Sequence, residues 1–149
     1  RNLGRLVTPS GRLDIAVWAP AKGNPWVAGL MGILRNHMDM PPPPPGTPGP
    51  FSLDDPERVR HLLEGGGFTN IDVYFWQGRQ LLGGAGSSAD SAARFVLDSM
   101  SFGKVLAQQP EAVQQTVIAE VRELFKAHET PSGVVMGANA WLVSARRAA

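Results

Sequence analysis

The sequence contains no cysteine among its 149 residues, and it has no excess of charge of either sign. The lack of cysteine excludes a disulfide scaffold, thiolate zinc or iron–sulfur sites and a cysteine nucleophile. The 14 Lys and Arg nearly balance the 13 Asp and Glu, so no global field favours nucleic acid or an anionic membrane. No apolar run approaches the roughly 20 residues that span a bilayer, and no segment resembles a signal peptide. We therefore expect a cytoplasmic protein without nucleic-acid or membrane partners.

The usual signatures of catalytic and metal sites are also missing. His37, His61 and His128 have no second histidine at i+3 or i+4, which a helical zinc pair requires. No G-x-S-x-G nucleophile elbow is present, and the glycines at 83–86 match neither a Walker A loop nor G-x-G-x-x-G. His37 or His61 could act as a base, but no neighbouring sequence orients either. We therefore expect no metal site and assign no catalytic residue.

What is present is the pattern of a single α/β domain over 1–149. Apolar residues recur at helical spacing in some segments and alternate in others, and turn residues separate them. Pro56 follows the acidic residues Asp54 and Asp55, which is typical of a capped helix start. The predicted elements are a helix end at 2–8, strands at 12–18 and 71–76, a loop at 78–88, helices at 26–37, 89–108 and 110–127, and strands at 134–136 and 139–146 that could be one strand interrupted near Gly137.

Five consecutive prolines at 41–45, with two more at 48 and 50, form an irregular linker. Such a run lacks amide donors and favours an extended polyproline conformation. The simplest interpretation is a stiff surface connector. A ligand for an SH3-type domain is the alternative, although no flanking specificity residues are evident.

Two of the four tryptophans, Trp18 and Trp76, are predicted to end strands. Ligands of open parallel sheets bind beyond the carboxyl ends of the strands, where an aromatic side chain can line a pocket. The alternative is that each tryptophan packs under a helix. Trp141 falls in the middle of a predicted strand and is expected in the core.

Three segments carry a family resemblance in their order and spacing. The first is N-L-G-R-L-V-T-P-S-G-R-L-D-I-A-V-W at 2–18, and the second is L-L-E-G-G-G-F at 62–68. The third is G-V-V-M-G-A-N-A-W-L-V-S-A-R-R at 133–147. They resemble the fifth strand, the helix before the sixth strand and the antiparallel seventh strand of class I S-adenosylmethionine-dependent methyltransferases, closest to the ubiquinone/menaquinone small-molecule group. Ser10 and Asp14 stand where that family has glycine and an apolar residue.

The resemblance implies the C-terminal part of a Rossmann-like seven-stranded methyltransferase sheet, strands five to seven. The parent enzyme would transfer a methyl group from S-adenosylmethionine to a small-molecule acceptor. The cofactor-binding N-terminal half, with its glycine-rich turn and ribose-binding acidic residue, has no counterpart here, so the fragment is expected to be inactive and to bind no cofactor. Residues 89–127 would form a helical lid. The expected acceptor-binding residues are aromatic: Trp18, Trp26, Phe51, Trp76 and Phe102.

The same resemblance predicts how the chain assembles. Strand 12–18 would lack the neighbour that a fourth strand provides, which leaves an exposed edge able to pair with another chain. We therefore expect a homo-oligomer. Two other functions remain open: a non-catalytic interaction module that uses this edge and the prolines at 41–45, and an unrelated small α/β enzyme with a nucleotide site at Gly84.

Overall fold

A computed structural model describes residues 2–41 and 47–149. Apart from Pro41, the proline run at 41–45 lies outside the described residues. The fold is mixed α/β, as the sequence predicts, and its elements in chain order are α1 (Asn2–Leu6), β1 (Arg12–Trp18), a short 3-10 helix (Ala21–Gly23), α2 (Pro25–His37), α3 (Pro56–Glu64), β2 (Phe68–Leu82), α4 (Ala89–Ser99), α5 (Ser101–Leu106), α6 (Glu111–Lys126), β3 (Glu129–Thr130) and β4 (Gly133–Arg147).

The strands form one four-stranded antiparallel sheet in the order β1-β4-β2, with β3 paired to the start of β4. β1 runs antiparallel to β4, and Arg12 lies opposite Arg146 while Trp18 lies opposite Ala140. The last strand in sequence is therefore central. β1 and β2 are the outer strands of the described sheet, so the predicted open edge at 12–18 is present.

The described residues divide into two compact units, of which the first contains 2–24, 47–78 and 139–149. Its core forms where α3 covers one face of the sheet, because the apolar stripe of this short helix meets the alternating apolar residues of the strands. The buried members are Val59, Leu63, Phe68, Val143 and Ala145. Leu13, Ile15 and Val17 of β1 pack against them, and the alternation of these three residues in the sequence predicts that they share one face of the strand.

The second unit contains residues 25–41 and 79–138. Its helices pack in pairs, with α6 against both α2 and α4, and with α4 against α5. A stripe of fully buried residues at helical spacing on α6, Val117, Val121 and Phe125, explains this packing. The His37 Nε2 atom lies 2.9 Å from Glu120 Oε1, and this contact joins the end of α2 to α6. Among the described residues, no helix is both long enough and apolar enough to cross a membrane.

Several predicted boundaries and burial assignments are wrong. β2 continues to Leu82, although 78–82 is predicted as loop, and β4 passes Gly137 without interruption. The helical spacing of apolar residues in these segments predicts that Leu62 and Phe95 are buried, but both are exposed. Each lies on a helix whose other apolar residues already fill the buried stripe, which leaves these two side chains towards solvent.

Gly32 offers a simple gain in stability. It is an exposed residue within α2, and a Cβ added there would meet no atom within 4 Å. We expect Gly32→Ala to raise the free energy of unfolding by about 0.5–1 kcal/mol, because alanine loses less backbone entropy in a helix. Chemical denaturation measures this change in the free energy of unfolding.

Gly29→Ala is the matched comparison on the same helix. Its Cβ would lie 2.9 Å from Leu124 Cδ2, so this side chain would have to move and we expect a smaller gain in stability. Equal or reversed effects would contradict this account of α2.

Candidate functional site

The first unit contains an open groove beside the carboxyl end of β1. Its volume is about 560 Å³. The groove brings together one ammonium group, two carboxylates and an indole ring, and its lining residues are Pro20, Ala21, Lys22, Asp54, Asp55, Pro56 and Trp141. The chain enters this region directly after Trp18, so one wall is the turn that follows β1.

Asn24 holds that turn in place. It is fully buried, and its Nδ2 donates hydrogen bonds to the carbonyls of Ala19 at 3.0 Å and Pro20 at 3.2 Å. Its Oδ1 accepts from the backbone N–H of Asn139 at 2.8 Å. A buried amide with both ends paired is strongly favoured over an unpaired one, so this side chain fixes the turn against β4.

The facing wall is the start of α3. Asp55 caps this helix by accepting from the Glu57 N–H at 3.0 Å, and Pro56 occupies the first helical turn, as the sequence predicts. The Trp141 Nε1–H donates to the Asp54 carbonyl at 2.7 Å, which ties β4 to this wall. Since Asp55 is engaged in capping, the Lys22 ammonium and the Asp54 carboxylate are the charged groups that remain to meet a ligand.

The structure brings together only some of the five aromatic residues predicted to bind an acceptor. Trp18 and Phe51 are in contact, with ring centroids 6.2 Å apart, and both belong to the first unit. Trp26 and Phe102 are buried in the second unit, where they fill the apolar sides of α2 and α5.

Trp76 requires a correction, since it lies within β2 and does not end that strand. Its ring covers Gly78, whose added Cβ would lie 2.2 Å from the ring. The same extension of β2 that made the loop prediction wrong removes Trp76 from a strand end.

The sequence does not indicate which residues line the groove. Trp141 packs against the buried cluster of the first unit, as its mid-strand position predicts, and its half-buried ring also lines the groove and lies 5.2 Å from the Phe75 ring. Lys22 belongs to the short 3-10 helix Ala21–Gly23, and no sequence motif surrounds it. Helix capping accounts for the acidic residues before Pro56, and nothing in their spacing indicates that Trp141 of β4 contacts them.

The glycine-rich turn at 83–88 connects β2 to α4 and contains Gly84, where a nucleotide site is one of the open alternatives. Residues 84–89 read G-A-G-S-S-A and lack the third glycine of G-x-G-x-x-G. Two of its amides make hydrogen bonds within the chain: Gly86 N–H donates to the Ser132 carbonyl at 2.8 Å, and Ser87 N–H donates to the Gly84 carbonyl at 3.3 Å. Gly133 approaches from the other side, where an added Cβ would lie 3.1 Å from the Gly84 carbonyl. Two backbone amides of this turn are therefore engaged within the second unit.

Neither the histidines nor the carboxylates of the described residues form a cluster of three that could hold a metal ion. His37 pairs with Glu120 in the second unit, while His61 and His128 are exposed. The groove thus combines an apolar wall with one basic and two acidic residues. No protein-family model matches this chain, and no curated protein matches it.

Proposed function

We propose that this chain is the substrate-side part of an S-adenosylmethionine-dependent methyltransferase, strands five to seven of a Rossmann-like sheet. In this proposal β1, β2 and β4 are those three strands, and the helices within 89–127 form the lid. The parent enzyme would methylate a small-molecule acceptor, with S-adenosylmethionine as its cofactor. In this proposal the chain alone would be inactive, because the resemblance covers strands five to seven and not the strands whose loops hold the cofactor in that family.

One observation carries the proposal. The final strand, β4, runs antiparallel to β1, and the carboxyl end of β1 opens into a groove with an indole wall. An antiparallel last strand is what the resemblance implies, and ligands of α/β sheets bind beyond the carboxyl ends of strands. Both features support a site for the methyl acceptor.

In methyl transfer, the main role of the acceptor-binding part would be to position the acceptor. A nucleophilic atom of the acceptor attacks the methyl carbon in line, and such a displacement depends on orientation and on exclusion of water. The ring of Trp141, which lines the groove, would contact the flat or apolar part of the acceptor. Lys22 would bind an anionic or carbonyl oxygen, and the Asp54 carboxylate would accept a hydrogen bond from a hydroxyl or amine.

The test uses the protein isolated from its own cells with an antibody against this chain. We expect its intact mass to correspond to roughly twice 149 residues, the size that a cofactor half of similar length would give. We also expect it to transfer tritium from methyl-labelled S-adenosylmethionine to the small-molecule fraction of a cell extract. In this protein, Lys22→Ala should raise the acceptor KM about 10-fold with little change in kcat, since loss of one charge-assisted contact removes uniform binding.

Arg58→Ala is the control, because Arg58 is exposed on α3 and lines no part of the groove. A native mass near 16.0 kDa together with absence of label transfer would overturn the proposal. If label is transferred but the acceptor KM is the same in Lys22→Ala and the wild type, the protein is a methyltransferase and the groove is not its acceptor site.

The second candidate function is a non-catalytic interaction module, favoured by the two open edges of the described sheet. A strand edge presents unpaired N–H and C=O groups that can pair with another chain. In either function we propose that the chain self-associates through such an edge as a homo-oligomer.

A further inference from the structure

We infer that β2, and not β1, is the edge through which two copies of this chain pair, in an antiparallel arrangement centred on Phe75. This inference rests on the proposed self-association and is independent of methyl transfer. It concerns the part of β2 that belongs to the first unit, Phe68 to Gly78.

The first reason is the surface that pairing would cover. Three consecutive aromatic residues of β2 are open to solvent, with Tyr74 68%, Phe75 45% and Trp76 36% exposed. A fully covered aromatic side chain buries about 150–250 Å², so these fractions leave roughly 300 Å² of aromatic surface per copy. β1 contributes no exposed large apolar side chain. Pairing through β1 would therefore join backbone groups while leaving the aromatic surface in water.

The second reason is that β1 has features that discourage pairing with another strand, and β2 has fewer of them. β1 has seven residues and carries an exposed ion pair between Arg12 and Asp14 at 2.9 Å. Short length and charge are the devices that discourage edge pairing. β2 has 15 residues, and Arg60 donates to its Ile71 carbonyl at 2.6 Å. Past Ile71, residues 72–78 contain one charged group, Asp72, and no proline.

The third reason is that the register is self-complementary. In a two-fold antiparallel pair centred on Phe75, Tyr74 of each copy lies opposite Trp76 of the other, and Val73 lies opposite Gln77. Cross-strand aromatic pairs are among the stabilising combinations. Asp72 lies opposite Gly78, so no like charges face each other. A register shifted to centre on Asp72 would oppose two carboxylates, which the same principle disfavours.

Two of the rings are already held in place. Phe75 packs against Trp141, and the Trp76 ring lies over Gly78. Ordered side chains lose less conformational entropy on association than free ones. A second copy of the chain is therefore the occupant that this edge fits, with the same residues on both sides of a closed two-fold interface.

The first experiment measures self-association of the full chain by sedimentation equilibrium over a wide concentration range. We expect a monomer–dimer equilibrium for the wild type and a dimer Kd at least about 10-fold weaker for Tyr74→Lys, since the substitution replaces two facing aromatic pairs with charge. Leu142→Lys places the same charge at an exposed position of the central strand, and Ala16→Lys places it on β1. Both should dimerise like the wild type.

The second experiment tests the register and takes advantage of the absence of cysteine. In the pair centred on Phe75, two Phe75→Cys copies place their Cα atoms about 5.5 Å apart, within disulfide range. Two Gln77→Cys copies place them about 14 Å apart, which is too far. Mild oxidation should therefore cross-link Phe75→Cys and leave Gln77→Cys as monomer on a non-reducing gel.

A monomer at every concentration overturns both the inference and the proposed self-association. A dimer that Ala16→Lys dissociates and Tyr74→Lys does not overturns the assignment to β2 and leaves self-association standing. Equal cross-linking of the two cysteine variants overturns the register. None of these outcomes depends on methyl transfer, so failure here is distinguishable from failure of the enzymatic proposal.

Discussion

Asn24→Ala is expected to lower the free energy of unfolding by about 3–4 kcal/mol. The substitution leaves the Asn139 N–H and the Ala19 carbonyl without their side-chain partner in a fully buried position. Each unsatisfied buried group costs about 1–3 kcal/mol, so the combined loss exceeds the effect of most single substitutions. For a chain of this length, thermal unfolding should shift down by about 10 °C. Denaturant titration followed by tryptophan fluorescence gives the free energy directly.

Asn139→Ala is the matched control, since it removes an amide of the same size from the same contact region. The Asn139 side chain donates one hydrogen bond, from Nδ2 to the Gly23 carbonyl at 2.6 Å, in an exposed position. Water can replace this bond, so we expect a loss of about 1 kcal/mol or less. If the two variants lose the same stability, Asn24 does not have the role assigned to it in the turn after β1.

Phe125→Ala is expected to cost about 3–5 kcal/mol, the range for removing a fully buried phenylalanine. Phe125 lies in the last turns of α6, on the buried face shared with Val117 and Val121. The loss combines the transfer energy of the ring with the cavity that it leaves. The variant should show a lower midpoint in urea, and its m-value reports whether unfolding stays cooperative.

Phe95→Ala makes the identical chemical change on α4, where the side chain is 56% exposed. Little surface is lost from the interior, so the expected change in free energy is below about 1 kcal/mol. A large effect at Phe95 with a small one at Phe125 would contradict the packing of α6 described above.

The elements that the sequence predicts well are those with a local physical cause. The alternation in 12–18 predicts β1 with its observed bounds, and the capping residues before Pro56 predict the start of α3. The helical spacing in 26–37 and 110–127 predicts α2 and α6 to within a residue at either end. In each case the signal lies within the segment itself.

The elements predicted poorly depend on partners that are distant in sequence. Gln77, Gly78 and Arg79 are typical of a turn, yet β2 continues through them because the sheet, with β4 as neighbour, overrides local preference. Trp76 compensates for the missing side chain of Gly78 by covering it. Similarly, Gly137 suggested an interruption that β4 does not contain.

The candidate site was the least predictable part. Asn24 and Asn139 are separated by 115 positions, and no local pattern links them. The mid-strand position of Trp141 predicts its packing against the core, but no local pattern indicates that the same ring also lines the groove beside Asp54. Strand alternation predicts which face a residue occupies and carries no information about which loop covers that face.

The central position of β4 has a consequence for synthesis. β1 and β2 each border β4 in the sheet, and β4 is the last of the four strands to leave the ribosome. Until β4 has been synthesised, β1 has no partner strand, because β4 lies more than a hundred residues further along the chain. Pairing between such distant segments slows folding. During that interval both nascent strands expose their edges and apolar faces, the condition in which chaperones bind and chains aggregate. The three aromatic residues on β2 would be the segment most in need of that protection.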